Sequence, residues 1–166
     1  PAVELAHVDV PGAIIERFEA ARKVTQLDVD TWHYEYAIRN VNSDRSARAF
    51  SVDFADGTPI SGVGFHDVDS HSGEPYSTAD WTPAIIPGTG TVAWSTSTFA
   101  GNPNANALRW STMYSFWFDA EAPPWSAVHS LELFKPGSPT SVSFVFPLFS
   151  DGFASHNLTA WSSSTP

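Results

Sequence analysis

Trp32-His33-Tyr34-Glu35-Tyr36-Ala37-Ile38-Arg39 is the stretch on which the fold turns. Its large apolar side chains, Trp32, Tyr34, Tyr36 and Ile38, share one parity, while His33, Glu35 and Arg39 share the other. Successive side chains of a strand point to opposite faces, so this period of two marks a strand with one face in a core and one in water. The pattern recurs in Phe50, Val52 and Phe54, set against Ser51 and Asp53, and again in Val142, Phe144 and Phe146, set against Ser141 and Ser143. It is longest in Leu108, Trp110, Tyr114, Phe116 and Phe118, which alternate with Arg109, Ser111, Ser115 and Asp119.

Turn-forming clusters separate these runs: 40–46, Asp56-Gly57-Thr58-Pro59, Ser72-Gly73-Glu74-Pro75, Pro87-Gly88, Gly101-Asn102-Pro103-Asn104, Pro123-Pro124 and Pro136-Gly137. Short alternating runs punctuated this often predict an all-β protein, an antiparallel β-sandwich of jelly-roll or immunoglobulin-like type. Ile14 to Lys23 fits two descriptions. Ile14, Ile15, Phe18 and Ala21 share a helical face, yet the segment's ends suit a strand equally. At 166 residues the chain is expected to build one core, a sandwich over 1–149. Residues 150–166 lose the alternation, become Ser-rich and read as a tail or linker; the sequon Asn157-Leu158-Thr159 within it is expected to be coincidental.

Composition narrows the partners. Eighteen acidic against eight basic residues give a formal charge of -10, which repels nucleic-acid phosphates and anionic membrane surfaces. No apolar run approaches the roughly 20 residues that span a bilayer. Without cysteine there are no disulfides, zinc thiolates or thiol nucleophiles. Lys23 and Lys135 are the only lysines, Ser and Thr are abundant and aromatics reach 14%. That mixture suits a secreted or cell-surface β domain. Pro1-Ala2-Val3-Glu4 has no leader character, so a secretory leader is expected to have been removed.

Asn102-Pro103-Asn104-Ala105-Asn106-Ala107-Leu108-Arg109-Trp110, followed by Phe116-Trp117-Phe118-Asp119-Ala120, resembles a pattern of secreted bacterial β-sandwich modules. Tyr34 to Asn42 and Leu133-Phe134-Lys135-Pro136-Gly137 share in the resemblance. It implies an accessory or surface domain of a larger extracellular protein and brings no catalytic residues with it.

Two groups of residues could carry a function. His66, Asp67, Asp69 and His71, with Glu74 close by, place imidazoles and carboxylates in one loop, a donor set suited to one divalent ion such as Ca²⁺ or Zn²⁺. The spacing matches neither an EF-hand nor a zinc-protease helix. The ordinary alternative is a polar loop whose side chains cap its own amides, with no metal or other cofactor. The second group is tryptophan. Trp32 and Trp110 fall on inward parities and are expected in the core. Trp81, Trp94, Trp117 and Trp125 are harder to place there, and exposed indoles are stacking platforms for sugar faces, the role expected of Trp81, Trp117 and Trp125. Glu35, Asp119 and Glu132 lie on predicted strands, but the separation a glycosidase needs is not legible from sequence, and no nucleophile elbow, phosphate loop or dinucleotide fingerprint is present. His33 beside Glu35 reads as a solvated pair.

The leading expectation is therefore a noncatalytic extracellular recognition module for carbohydrate or another surface polymer, a neutral polysaccharide by charge. The alternatives are a self-assembling surface protein that forms homo-oligomers through strand edges and the run Phe144 to Phe149, and a metal-dependent enzyme built on the His66–Glu74 loop.

Overall fold

The computed structural model describes residues 2–124 and 127–146. Ten strands occur among them and no α-helix: β1 (Val3–Val10), β2 (Glu16–Gln26), β3 (Trp32–Asn40), β4 (Ala47–Asp53), β5 (Ile60–His66), β6 (Thr82–Ile86), β7 (Thr91–Ser95), β8 (Met113–Ala120), β9 (Val128–Leu133) and β10 (Ser141–Phe144). They form two antiparallel five-stranded sheets, ordered β1-β2-β3-β8-β5 and β10-β9-β4-β7-β6. The chain is a β-sandwich, and the segment from Ile14 to Lys23 resolves as strand, since Phe18 and Ala20 alternate inward along β2.

The period of two holds where it matters most. Tyr34, Tyr36 and Ile38 of β3, Phe50 and Val52 of β4, and Tyr114, Phe116 and Phe118 of β8 are all buried between the sheets. Their rings interlock in offset and edge-on pairs. Tyr34 stacks on Phe118 at 4.9 Å, Phe50 meets Phe116 at 5.0 Å, and Trp94 meets Phe116 edge-on at 5.2 Å. Val142 and Phe144 of β10 pack partly buried against this core, and Phe146 lies buried beneath Tyr36 and His129. Phe144 and Phe146 thus pack into the protein's own core while Val145 between them stays 64% exposed; the rest of the apolar run, like residues 150–166 and Trp125, lies outside the described residues.

One buried cation closes an edge of the sandwich. Arg22 points inward from β2, only 3% exposed, and its guanidinium meets the Glu4 carboxylate of β1 at 2.5 Å, donates to the Pro124 carbonyl at 3.0 Å and covers the Phe146 ring. The pairing satisfies a charge that would otherwise be costly to bury.

Trp110 corrects the sequence reading. It is 71% exposed. The run from Leu108 to Phe118 is not one strand, because a turn over Arg109 to Thr112 interrupts it, closed by the Thr112 amide on the Arg109 carbonyl and containing Ser111 at φ 64°. A left-handed residue breaks the alternation, so the parity that buries Leu108 and Tyr114 does not apply to Trp110.

Candidate functional site

The outer face of the β1-β2-β3-β8-β5 sheet carries the residues that the inward alternation leaves over, and the register arranges them in rows across the strands. One row runs Val3, Lys23, Glu35, Trp117 and Gly64; the next runs Leu5, Ala21, Ala37, Ser115 and His66; the third runs His7, Glu19, Arg39 and Met113. The middle row is built of small side chains at its three central positions, while long side chains flank it on both sides. A trough therefore crosses the sheet at right angles to the strands. It reaches from β1 to β8, and four strands at about 4.8 Å spacing make it roughly 14 Å long. Its open volume is about 520 Å³, bordered by Lys23, Glu35 and Trp117 over a floor that includes Ala21, Ala37 and Ser115.

Trp117 sits in this wall because β8 places it opposite Gly64 on the edge strand β5. Gly64 has no side chain, and the indole lies across the space: a methyl group there would overlap Cε2, Cζ2 and Nε1 of the ring. A cross-strand aromatic that covers an edge glycine shields its backbone, which accounts for one face of the indole. The ring also borders the trough.

The polar groups beside it are held in place. Lys23 Nζ donates to Glu35 Oε2 at 2.7 Å, and this ammonium holds the Glu35 carboxyl below the usual carboxylate range. In the adjoining row His33 Nδ1 and Asp119 Oδ1 are 2.6 Å apart. In the third row, across the small side chains, Arg39 and Glu19 face each other at 3.9 Å. Each pair is partly or largely exposed, so its energetic value is small, but together they present fixed donors and acceptors along the trough.

The other expected site residues are distributed differently. Trp81, expected at the surface, is 1% exposed. The loop from Asp67 to Asp80 folds back over the core, stacks Trp81 on Phe65 at 5.8 Å and lets its Nε1 donate to the Asn106 carbonyl, so no ring face is left for a ligand. Of the two proposed platforms among the described residues, Trp117 is the one placed on a groove.

Of the four proposed metal ligands, His66 points outward at the end of the trough's middle row, and Asp69 is exposed in the following loop. Asp67 and His71 meet at Asn106, which is fully buried. The Asn106 amide nitrogen donates to Asp67 Oδ2 and to the Ala79 carbonyl at 2.9 Å, and its Oδ1 accepts from the Tyr114 hydroxyl at 2.6 Å and stands 3.1 Å from His71 Nε2. These bonds fasten the loop to the core. Among the described residues no three or more His, Asp or Glu side chains are grouped so as to hold a metal ion.

Neither Glu35 nor Asp119 stands apart as an acid or base, because each is bonded to a neighbouring cation or imidazole, and Glu132 lies on the other sheet in a pair with Arg48 at 2.5 Å. The small-residue row was hidden from sequence reasoning because Ala21, Ala37 and Ser115 are far apart in the chain and become neighbours only through register. No protein-family model matches the chain, and no curated protein matches it.

Proposed function

We propose that this protein is a noncatalytic extracellular recognition module that binds a neutral polysaccharide chain along the trough on the outer face of its β1-β2-β3-β8-β5 sheet. One observation carries the reading: an indole bedded on Gly64 borders an open trough beside the paired side chains Lys23–Glu35 and His33–Asp119. A sugar ring offers an apolar face to an aromatic and hydroxyls at its rim to carboxylates and cations, so this combination supplies both stacking and direction. A trough open along the sheet suits a run of several sugar units. The formal charge of -10 disfavours polyanions and leaves neutral chains as the favoured class.

The test is retention of the intact protein on insoluble neutral polysaccharides such as cellulose, chitin and xylan, beside Trp117→Ala. Wild type is expected to be retained on at least one, and the variant to lose about tenfold or more in affinity, the equivalent of about 1.4 kcal/mol of stacking. Retention of neither, or equal retention of both folded proteins, overturns the reading.

A second reading, self-assembly, is favoured by β6. This edge strand is exposed along its whole length and presents Ile85 and Ile86, each more than two-fifths exposed. Light scattering coupled to size exclusion separates the two: a concentration-dependent dimer abolished by Ile85→Lys supports assembly.

A further inference from the structure

At the loop end of the sandwich the most exposed tryptophan among the described residues stands over a separate pocket of about 480 Å³, a size typical of small-molecule sites. Its lining includes Asn42, Asp44, Glu74, Tyr76 and Arg109 together with Trp110. The burial of a large ring is the ordinary way to stabilise a fold, so an indole 71% exposed on a rigid mount calls for a different use.

The mount is rigid for local reasons. Ser111, at φ 64°, donates its amide to the Asn40 carbonyl at 2.9 Å, and the Asn40 amide donates to the Thr112 carbonyl at 3.0 Å. The Thr112 hydroxyl donates to the Arg109 carbonyl at 2.6 Å. Asn40 is itself fully buried and tied to Ser43 and Leu108 through its side chain. A serine held in the left-handed region stores strain that the surrounding bonds maintain, and such strain gathers where a side chain must be aimed.

The floor is equally fixed. The Arg109 guanidinium lies 4.0 Å from the Tyr76 ring centroid and 4.7 Å from that of Phe134, and its Nη2 donates to the carbonyls of Pro103 and Ala105 at 3.0 and 2.9 Å. Around the rim the Asp44 carboxylate, tethered to Lys135 Nζ at 2.7 Å yet 81% exposed, and the exposed Glu74 supply acceptors for hydroxyl groups. Cations and carboxylates alternate here, so the pocket favours no net charge.

We propose that this pocket is a second ligand site, which takes a single neutral sugar ring, the end of a glycan chain, stacked on Trp110 with its hydroxyls on Asp44 and Glu74. Residues from four separate segments line the pocket, among them Asp44, Glu74, Tyr76, Arg109 and Lys135, and loops gathered from several sides suit a chain terminus, whereas the trough along the sheet suits a chain interior. The two sites share no lining residue, and this one does not depend on the other.

The experiment reads tryptophan indole N–H cross peaks of ¹⁵N-labelled protein titrated with cellotetraose, maltotetraose, xylotetraose, chitotetraose and their disaccharides. It is run in wild type and in Trp117→Ala, with the Trp110 peak assigned from Trp110→Phe. The expected result is a saturable shift of the Trp110 peak with at least one sugar, undiminished in Trp117→Ala, and, by titration calorimetry with that sugar, at least a tenfold loss of affinity in Trp110→Ala and in Asp44→Ala. A Trp110 peak unmoved by every sugar, or moved only when Trp117 is intact, overturns the pocket. A polymer retained through Trp117 alongside an unmoved Trp110 peak sinks the pocket and leaves the trough standing. Because Trp110 is exposed, Trp110→Ala is expected to keep the wild-type melting midpoint, so a loss of binding is not a loss of fold.

Discussion

The indole of Trp117 occupies the space that a side chain at Gly64 would fill, one strand away on the same face of the sheet. Gly64 is not in a left-handed conformation, so alanine suits its backbone, and the clash falls on an outward ring that can swing aside. Gly64→Ala is therefore expected to shift the melting midpoint little while it dislodges the platform. Polysaccharide retention should drop to the level of Trp117→Ala; retention equal to wild type would show that the position of the indole does not matter.

Trp94 and Trp110 are predicted to behave as opposites. Trp94 is fully buried among Phe50, Phe116 and Phe118, and its replacement by alanine should cost about 3–5 kcal/mol. Trp110→Ala removes a ring from water and should stay within about 0.5 kcal/mol. Paired denaturant melts measure both.

Asn106 joins the β5–β6 loop to β8 through Asp67, His71, Ala79 and Tyr114. Asn106→Ala removes the bonds to Asp67, His71, Ala79 and Tyr114 at a fully buried position, although the Tyr114 hydroxyl still donates to the Ala107 carbonyl, and is expected to destabilise the protein by about 2 kcal/mol. Loop tethering by an amide also predicts that chelator leaves the melting midpoint unchanged. A drop of several degrees on chelation would instead restore a metal to the His66–Glu74 loop.

His129 is buried between Phe50, Phe144 and Phe146, with Nε2 3.1 Å from the Tyr36 hydroxyl, and burial together with nearby Arg22 pushes its pKa down to about 3. The unfolded chain takes up that proton near pH 6.5, so the unfolded state binds more protons from there down to about pH 3, and stability falls with pH across that window. Between pH 7 and 5 the loss should be about 2 kcal/mol. His129→Phe removes this slope even if it lowers stability overall. A slope unchanged in the variant would assign it to other groups.

Alternation made the sandwich legible because a half-buried strand has to be written with period two, and Tyr34, Tyr36, Phe50, Phe116 and Phe118 sit where that period puts them. It failed at Trp110 because a turn containing a left-handed serine interrupts the strand there, and no residue type announces that conformation. It was silent about Ile14 to Lys23 because alanines and charged residues fit helix and strand alike. Trp81 was misplaced for another reason: whether a loop folds over the core depends on the distant Asn106. The outward placement of Trp117 was readable from its strand, but the trough beside it was not, since it consists of a register shared by four strands.

The Arg109–Thr112 turn separates two properties that a strand would bind together. A residue within β8 cannot be exchanged without consequence for its cross-strand neighbours, whereas position 110 hangs from backbone bonds made by Asn40, Ser111 and Thr112 and turns most of its side chain to water. The aromatic there behaves as an interchangeable fitting on a permanent bracket. Tyrosine, phenylalanine or histidine could replace it and alter what the loop end recognises at almost no expense to folding, which makes this turn the natural place to retune the protein.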